Sequence, residues 1–167
     1  IMNMEINRKS KSGLRQILML VAPAVALASN VIFPWSDVAA RIGGDYIYRQ
    51  HTFVDIWQGQ GALAVTILGV LVGAALVLVK DMDLRRKLTV SSLFLALLLT
   101  SLCAAFQATM PQSDPLMAVE HKGTTLYMGL GMGLHLTEAL GIAWFFAALS
   151  AWSWKREWGR KSDPAEE

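Results

Sequence analysis

The sequence predicts an all-α integral membrane protein: a bundle of four transmembrane helices with both termini in the cytoplasm and a partly helical outer loop lying at the membrane surface. Three observations lead there. Hydrophobic residues make up 54% of the 167 positions and charged residues only 17%, less charge than a soluble domain of this size carries. The mean hydropathy is +0.40, and the charges sit in short clusters between four long apolar runs. The basic residues alternate in density from one connection to the next, as they do in chains that cross a bilayer repeatedly.

The apolar runs cover about 16–33, 61–79, 88–106 and 126–152. Each is long enough to cross roughly 30 Å of hydrocarbon at about 1.5 Å per residue. The first three contain no charged side chain, and the fourth contains only His135 and Glu138. The fourth is also the longest, so tilting or protrusion is expected of it. In the first run, Pro23 is expected to kink the helix or to sit where a neighbour compensates the freed carbonyl. That run also fits a second reading, because a basic start and Ala26-Leu27-Ala28 before Ser29 have the form of a secretory signal with its cleavage site. The uncleaved span is the favoured expectation.

All 15 Lys and Arg residues lie outside the runs. Arg8, Lys9, Lys11 and Arg15 sit in the N-terminal tail (1–15), Lys80, Arg85, Arg86 and Lys87 in the loop 80–87, and Lys155, Arg156, Arg160 and Lys161 in the C-terminal tail (155–167). The loops 34–60 and 107–125 hold only Arg41, Arg49 and Lys122. The positive-inside rule therefore places both tails and the loop 80–87 in the cytoplasm, in the manner of a bacterial inner-membrane protein, and frames a transmembrane domain over 16–154. The basic residues form no separate patch, so no nucleic-acid partner is expected. The single cysteine, Cys103, lies within an apolar run, which excludes an intrachain disulfide and leaves the redox compartment open.

The outer loop 34–60 is too long for a simple turn. Its Trp35, Tyr46, Tyr48, Phe53 and Trp57 fit a segment with rings at headgroup depth. Ser36 can cap a short helix through Ala40 that Gly43-Gly44 would end, and a second short helix can run from Tyr48 to Trp57. Trp152, Trp154 and Trp158 make a further anchor at the cytoplasmic face. Gly69 and Gly73, and likewise Gly129 and Gly133, have the small-xxx-small spacing that lets helix backbones approach closely, within the chain or against another subunit.

His135 and Glu138 raise the main chemical question. Read at their place in the 126–152 run, they lie near mid-bilayer and share a helix face, where such residues face a cavity or a partner. A structural reading ties the pair to each other or to polar groups on neighbouring helices, with Asn30, Ser91, Ser92, Thr100 and Ser101 as candidates. Alternatively His135 ligates the metal of a haem or chlorophyll, Gly131 one turn earlier leaving room for the macrocycle. The pair can also bind a quinone headgroup or relay a proton, or Glu138 can serve a small proton-coupled transporter. Outside the spans, His51 and Asp55 with His121 of the second outer loop are weaker candidates for metal ligation, surface polar residues being the plainer reading. Neither a Ser-His-Asp arrangement nor a phosphate loop is supported: Gly59-Gln60-Gly61 lacks the lysine and the flanking strand.

The spacing of Gly131 and His135 resembles the small-xxx-His pattern of light-harvesting polypeptides, which implies a tetrapyrrole ligand at His135. The size and four-helix layout resemble the small membrane disulfide-generating quinone reductases. Those need paired outer-loop cysteines, absent here, so that activity is excluded. The sequence therefore leads to a non-catalytic integral subunit of a larger inner-membrane complex, assembled through glycine-rich helix faces and the outer loops, with bound lipid. A redox or pigment-binding protein using His135 and Glu138 (quinone, haem or chlorophyll) is the alternative, and a small proton-coupled transporter the next.

Overall fold

Four long helices carry the apolar runs, and a small sheet closes one end of them. The structure, a computed structural model, describes residues 2–42, 45–113 and 125–161. Helix α1 spans Met2–Ile32, α2 Trp57–Leu78, α3 Met82–Ser113 and α4 Met132–Lys161, with strands β1 (Ser36–Ile42), β2 (Asp45–His51) and β3 (Thr125–Leu130) and a 3₁₀ turn at Phe53–Asp55. The four helices contain segments long and apolar enough to cross a membrane, Leu14–Ile32, Trp57–Leu78, Met82–Thr109 and Met132–Trp152, compatible with an integral membrane protein. They pack in a ring, α1 against α2 and α4, α3 against α2 and α4.

In lipid, apolar surface gives helices little reason to associate, so close packing and hydrogen bonds must do so. Gly69 and Gly73 on α2 supply the packing against α1. A Cβ on Gly69 would strike Trp144 of α4 and come within 2.9 Å of Cβ of Pro23, and one on Gly73 would lie 2.8 Å from the Met19 carbonyl oxygen. Met19 is four residues before Pro23, so its carbonyl is the one that proline leaves without a helix donor. The two α2 glycines thus make room for the proline ring and for the carbonyl it frees. Trp144 is fully buried between the helices, and its indole N–H donates to Ser92 Oγ on α3 at 2.7 Å.

The described part of the segment after α1 is mostly strand, with a 3₁₀ turn at Phe53–Asp55. β1 takes the place of the helix expected from Ser36 to Ala40, and β2 with the 3₁₀ turn takes the place of the one expected from Tyr48 to Trp57. β1 pairs antiparallel with β2, Ile42 opposite Asp45, and with β3, Ser36 opposite Leu130. The order is β2-β1-β3. Aromatic and β-branched residues at Ile42, Tyr46, Ile47 and Tyr48 suit strands, and Gly43-Gly44 between them is a hairpin signal. Ser36 is better read as a strand residue than as a helix cap because a distant segment, β3, offers it a ladder.

The second departure concerns the fourth apolar run. Its first residues form β3, and α4 starts only at Met132. A continuous apolar run does not distinguish strand from helix, and here Gly129, Gly131 and Gly133 weaken the helical option at its start. Gly129 consequently lies in a strand and Gly133 in a helix, so the two do not form a helical small-xxx-small face. Trp35 is fully buried within the protein, its ring edge-on to Phe106 of α3 with centroids 5.4 Å apart. Trp57 is 65% exposed and Trp152 half-buried, while the side chains of Trp154 and Trp158 lie outside the described set.

Sheet and bundle meet where the backbones of 33–35 and 131–133 touch. Gly131 N–H donates to Trp35 O at 2.8 Å and Gly133 N–H to Pro34 O at 3.0 Å, which satisfies one of the first-turn donors that a helix leaves without an internal partner. A Cβ on Gly131 would overlap the Pro34 carbonyl, and one on Gly133 would sit 2.5 Å from Phe33 O. Gly131→Ala and Gly133→Ala should therefore each destabilise the protein by about 1–3 kcal/mol. Gly129→Ala, whose nearest neighbour would be Asp37 O at 4.0 Å, should stay within about 0.5 kcal/mol of the parent. Unfolding in mixed micelles followed by circular dichroism measures the contrast.

Candidate functional site: polar ties at the sheet end of the bundle

Several polar side chains of the helices bond across helix interfaces, and three of these ties lie toward the sheet end. Asn30 lies in the last turn of α1 and is fully buried. Its Oδ1 accepts from Trp35 Nε1 and from Thr137 Oγ1 of α4, both at 2.9 Å. An indole nitrogen only donates, so the Asn30 oxygen must be the atom that faces it. This node holds the α1–β1 corner to the second turn of α4. Asn30 Nδ2 has no hydrogen-bond partner among the described residues.

Two further ties use the same end. Gln58, buried in the first turn of α2, donates to Thr109 Oγ1 of α3 at 2.9 Å. Gln107 of α3 donates to Glu138 Oε2 of α4 at 2.7 Å. The α1–α4, α2–α3 and α3–α4 interfaces are each fastened by a side-chain hydrogen bond, in a setting where an unpaired polar group is costly. Thr100 and Ser101 bond back to carbonyls of their own helix, and Ser91 is exposed. Of the candidates in the apolar runs, Asn30 and Ser92 reach another helix.

His135 and Glu138 lie near the start of α4 rather than well inside a longer helix. α4 begins at Met132, so His135 falls in its first turn, about 4–5 Å along the axis, and Glu138 about 9 Å along. His135 is exposed and Glu138 half-buried; the hydrogen-bond partner of Glu138 is Gln107, not His135. The difference in position along the helix follows from β3 occupying the first residues of the apolar run. Gly131 does not provide a slot for a macrocycle beside His135, because the Pro34–Trp35 backbone occupies that space.

Asp55 of the outer loop is engaged locally. Asp55 Oδ2 accepts from Thr52 N–H at 2.8 Å and Thr52 Oγ1 at 2.9 Å. The Thr52 backbone N–H, then its hydroxyl, hold the Asp55 carboxyl below its ordinary value, with His51 nearby contributing less. Among the described residues no group of three His, Cys, Asp or Glu is placed to hold a metal ion, and His121 lies outside the described residues. Sequence reasoning had named Asn30 only among several candidates, and it missed Trp35, Gln58, Gln107, Thr109 and Thr137 as tie residues. The signal for the first node was a lone amide at the end of an apolar run with a tryptophan five residues on. Glutamines at span ends gave no comparable sign.

No protein-family model matches the chain, and no curated protein matches it.

Asn30→Ala leaves Trp35 Nε1 and Thr137 Oγ1 buried without an acceptor and should cost about 2–4 kcal/mol. Thr137→Val keeps the shape and removes one donor, and should cost about 1 kcal/mol. Chemical unfolding of the purified protein ranks the two. For Asp55, the folded carboxyl titrates below the unfolded one, so the Thr52–Asp55 turn gains stability above the ordinary carboxylate range and loses it as pH falls through the folded value. An NMR titration should find Asp55 below a model aspartate, with Thr52→Ala moving it upward; its exposure keeps the effect on global stability small.

Proposed function

We propose that the chain is a non-catalytic integral subunit of a larger bacterial-type inner-membrane complex, with both termini in the cytoplasm and the sheet on the opposite side. The observation that carries this reading is the use of the polar groups along the helix interfaces. Asn30, Thr137, Gln58, Thr109, Gln107 and Glu138 are engaged with one another across helix interfaces, which is what a rigid scaffold requires. Gly69 and Gly73 of α2 face α1 and α4 of the same chain, so the partner surface in this reading is the sheet end and the lipid-facing sides of the helices rather than a glycine stripe. The basic ends at 8–15, 80–87 and 155–161 favour the cytoplasm for the face opposite the sheet.

Chemical cross-linking in native membranes followed by purification in mild detergent tests it. The expected result is a membrane-protein partner at fixed stoichiometry, in a preparation without a visible absorption band. A chain that purifies without any partner, carrying a Soret or chlorophyll band that His135→Ala removes, would overturn this reading in favour of pigment binding.

A further inference from the structure

Strand β2 is an edge strand. The sheet order is β2-β1-β3, and among the described residues nothing pairs with the outer side of β2. Its Asp45, Ile47, Tyr48, Arg49 and Gln50 are exposed. An open edge of seven residues is a template for another strand. Such edges are commonly blunted with charge, and β2 has charge, but its arrangement is particular. Asp45 and Arg49 have opposite sign and lie two residues either side of Ile47.

Antiparallel pairing of β2 with another β2, centred on Ile47, sets Asp45 of each strand opposite Arg49 of the other and Ile47 opposite Ile47. Directly opposed unlike charges stabilise a strand pair, and like charges oppose it. A register centred on a residue also joins outward-facing backbone groups of one copy to those of the other, whichever alternate set faces outward. We propose that β2 is a self-association edge, and that two copies of this chain join through it into a continuous six-stranded sheet with Ile47 on the two-fold axis. The interface is isologous, as a two-fold requires. The axis of such a sheet runs perpendicular to its plane, so two copies in one bilayer with the same orientation place the joined sheet across the membrane surface. This inference rests on the strand order and charge pattern, and it is independent of whether the chain also serves as a subunit for other proteins.

Cysteine cross-linking of the full chain in membranes tests it, with the buried Cys103 left in place. Directly opposed Cβ atoms are about 4.5–5.5 Å apart, so Ile47→Cys should give a disulfide-linked dimer under mild oxidation. Gln50→Cys, about 20 Å from its counterpart in this register, should give at least tenfold less. Asp45→Arg should abolish the Ile47→Cys dimer by setting arginines against each other, and adding Arg49→Asp should restore it. Equal dimer from Ile47→Cys and Gln50→Cys, or none from either, would overturn the inference. Loss on charge reversal without recovery in the exchange variant would do the same, and would point to a strand from a different protein on this edge.

Discussion

The rest of the structure depends on one close approach: the backbone of Gly131–Gly133 against that of Phe33–Trp35. It joins the first apolar helix to the last and turns both directly into the sheet. Two backbone hydrogen bonds run across it, and neither glycine could carry a side chain without displacing a carbonyl. The Asn30 node lies just beneath, with Trp35 and Thr137 bonded to the same oxygen. Because β1 follows α1 after a few residues and α4 follows β3 after one, fixing this junction also sets the register of β1 against β3. The sheet is therefore an extension of the α1–α4 contact rather than a separate ornament.

A second contact of the same kind acts further along α1. Pro23 frees the Met19 carbonyl and projects a ring where a helix neighbour would ordinarily press, and Gly69 and Gly73 leave space for both. α1 is thus held on α2 by absent side chains and on α4 by an amide, two solutions to the shortage of hydrophobic driving force inside a bilayer. α3 is held by hydrogen bonds from Gln58, Gln107 and Trp144 with Thr109, Glu138 and Ser92. Glu138 brings a carboxyl group into these ties near the start of α4, and Arg15 of α1 donates to the Ser150 carbonyl of α4 toward the other end.

The helices were legible in the sequence because apolar length is a strong signal: α1, α2 and α3 begin and end within several residues of the apolar runs or extend them. The sheet was not, for identifiable reasons. β1 carries Ser36 where a helix cap would be, and its strand state depends on β3, almost ninety residues away. β3 is apolar and continuous with α4, so composition merged the two and placed His135 and Glu138 about two turns further along the helix. Trp35 had the flanking position of an interfacial anchor, yet Asn30 offers its N–H a buried acceptor, and a tryptophan so supplied can be buried within the protein. Pairwise ties such as Gln107–Glu138 depend on which helix faces which, and that is set by the junction and not by any local pattern.

The central claim is that residues 125–130 form a strand on β1 instead of the first turns of a membrane span. Paired cysteines at Asp37 and Gly129, directly opposite in the ladder, test it most directly. Both positions are accessible, and a side chain at Gly129 meets no neighbour closer than 4.0 Å. Oxidation of the Asp37→Cys/Gly129→Cys protein in membranes should form an intramolecular disulfide, read as a mobility shift reversed by reductant and as a mass two hydrogens lower. Two thiols that stay free under conditions where both react with a soluble maleimide would contradict the strand pairing and the junction built on it.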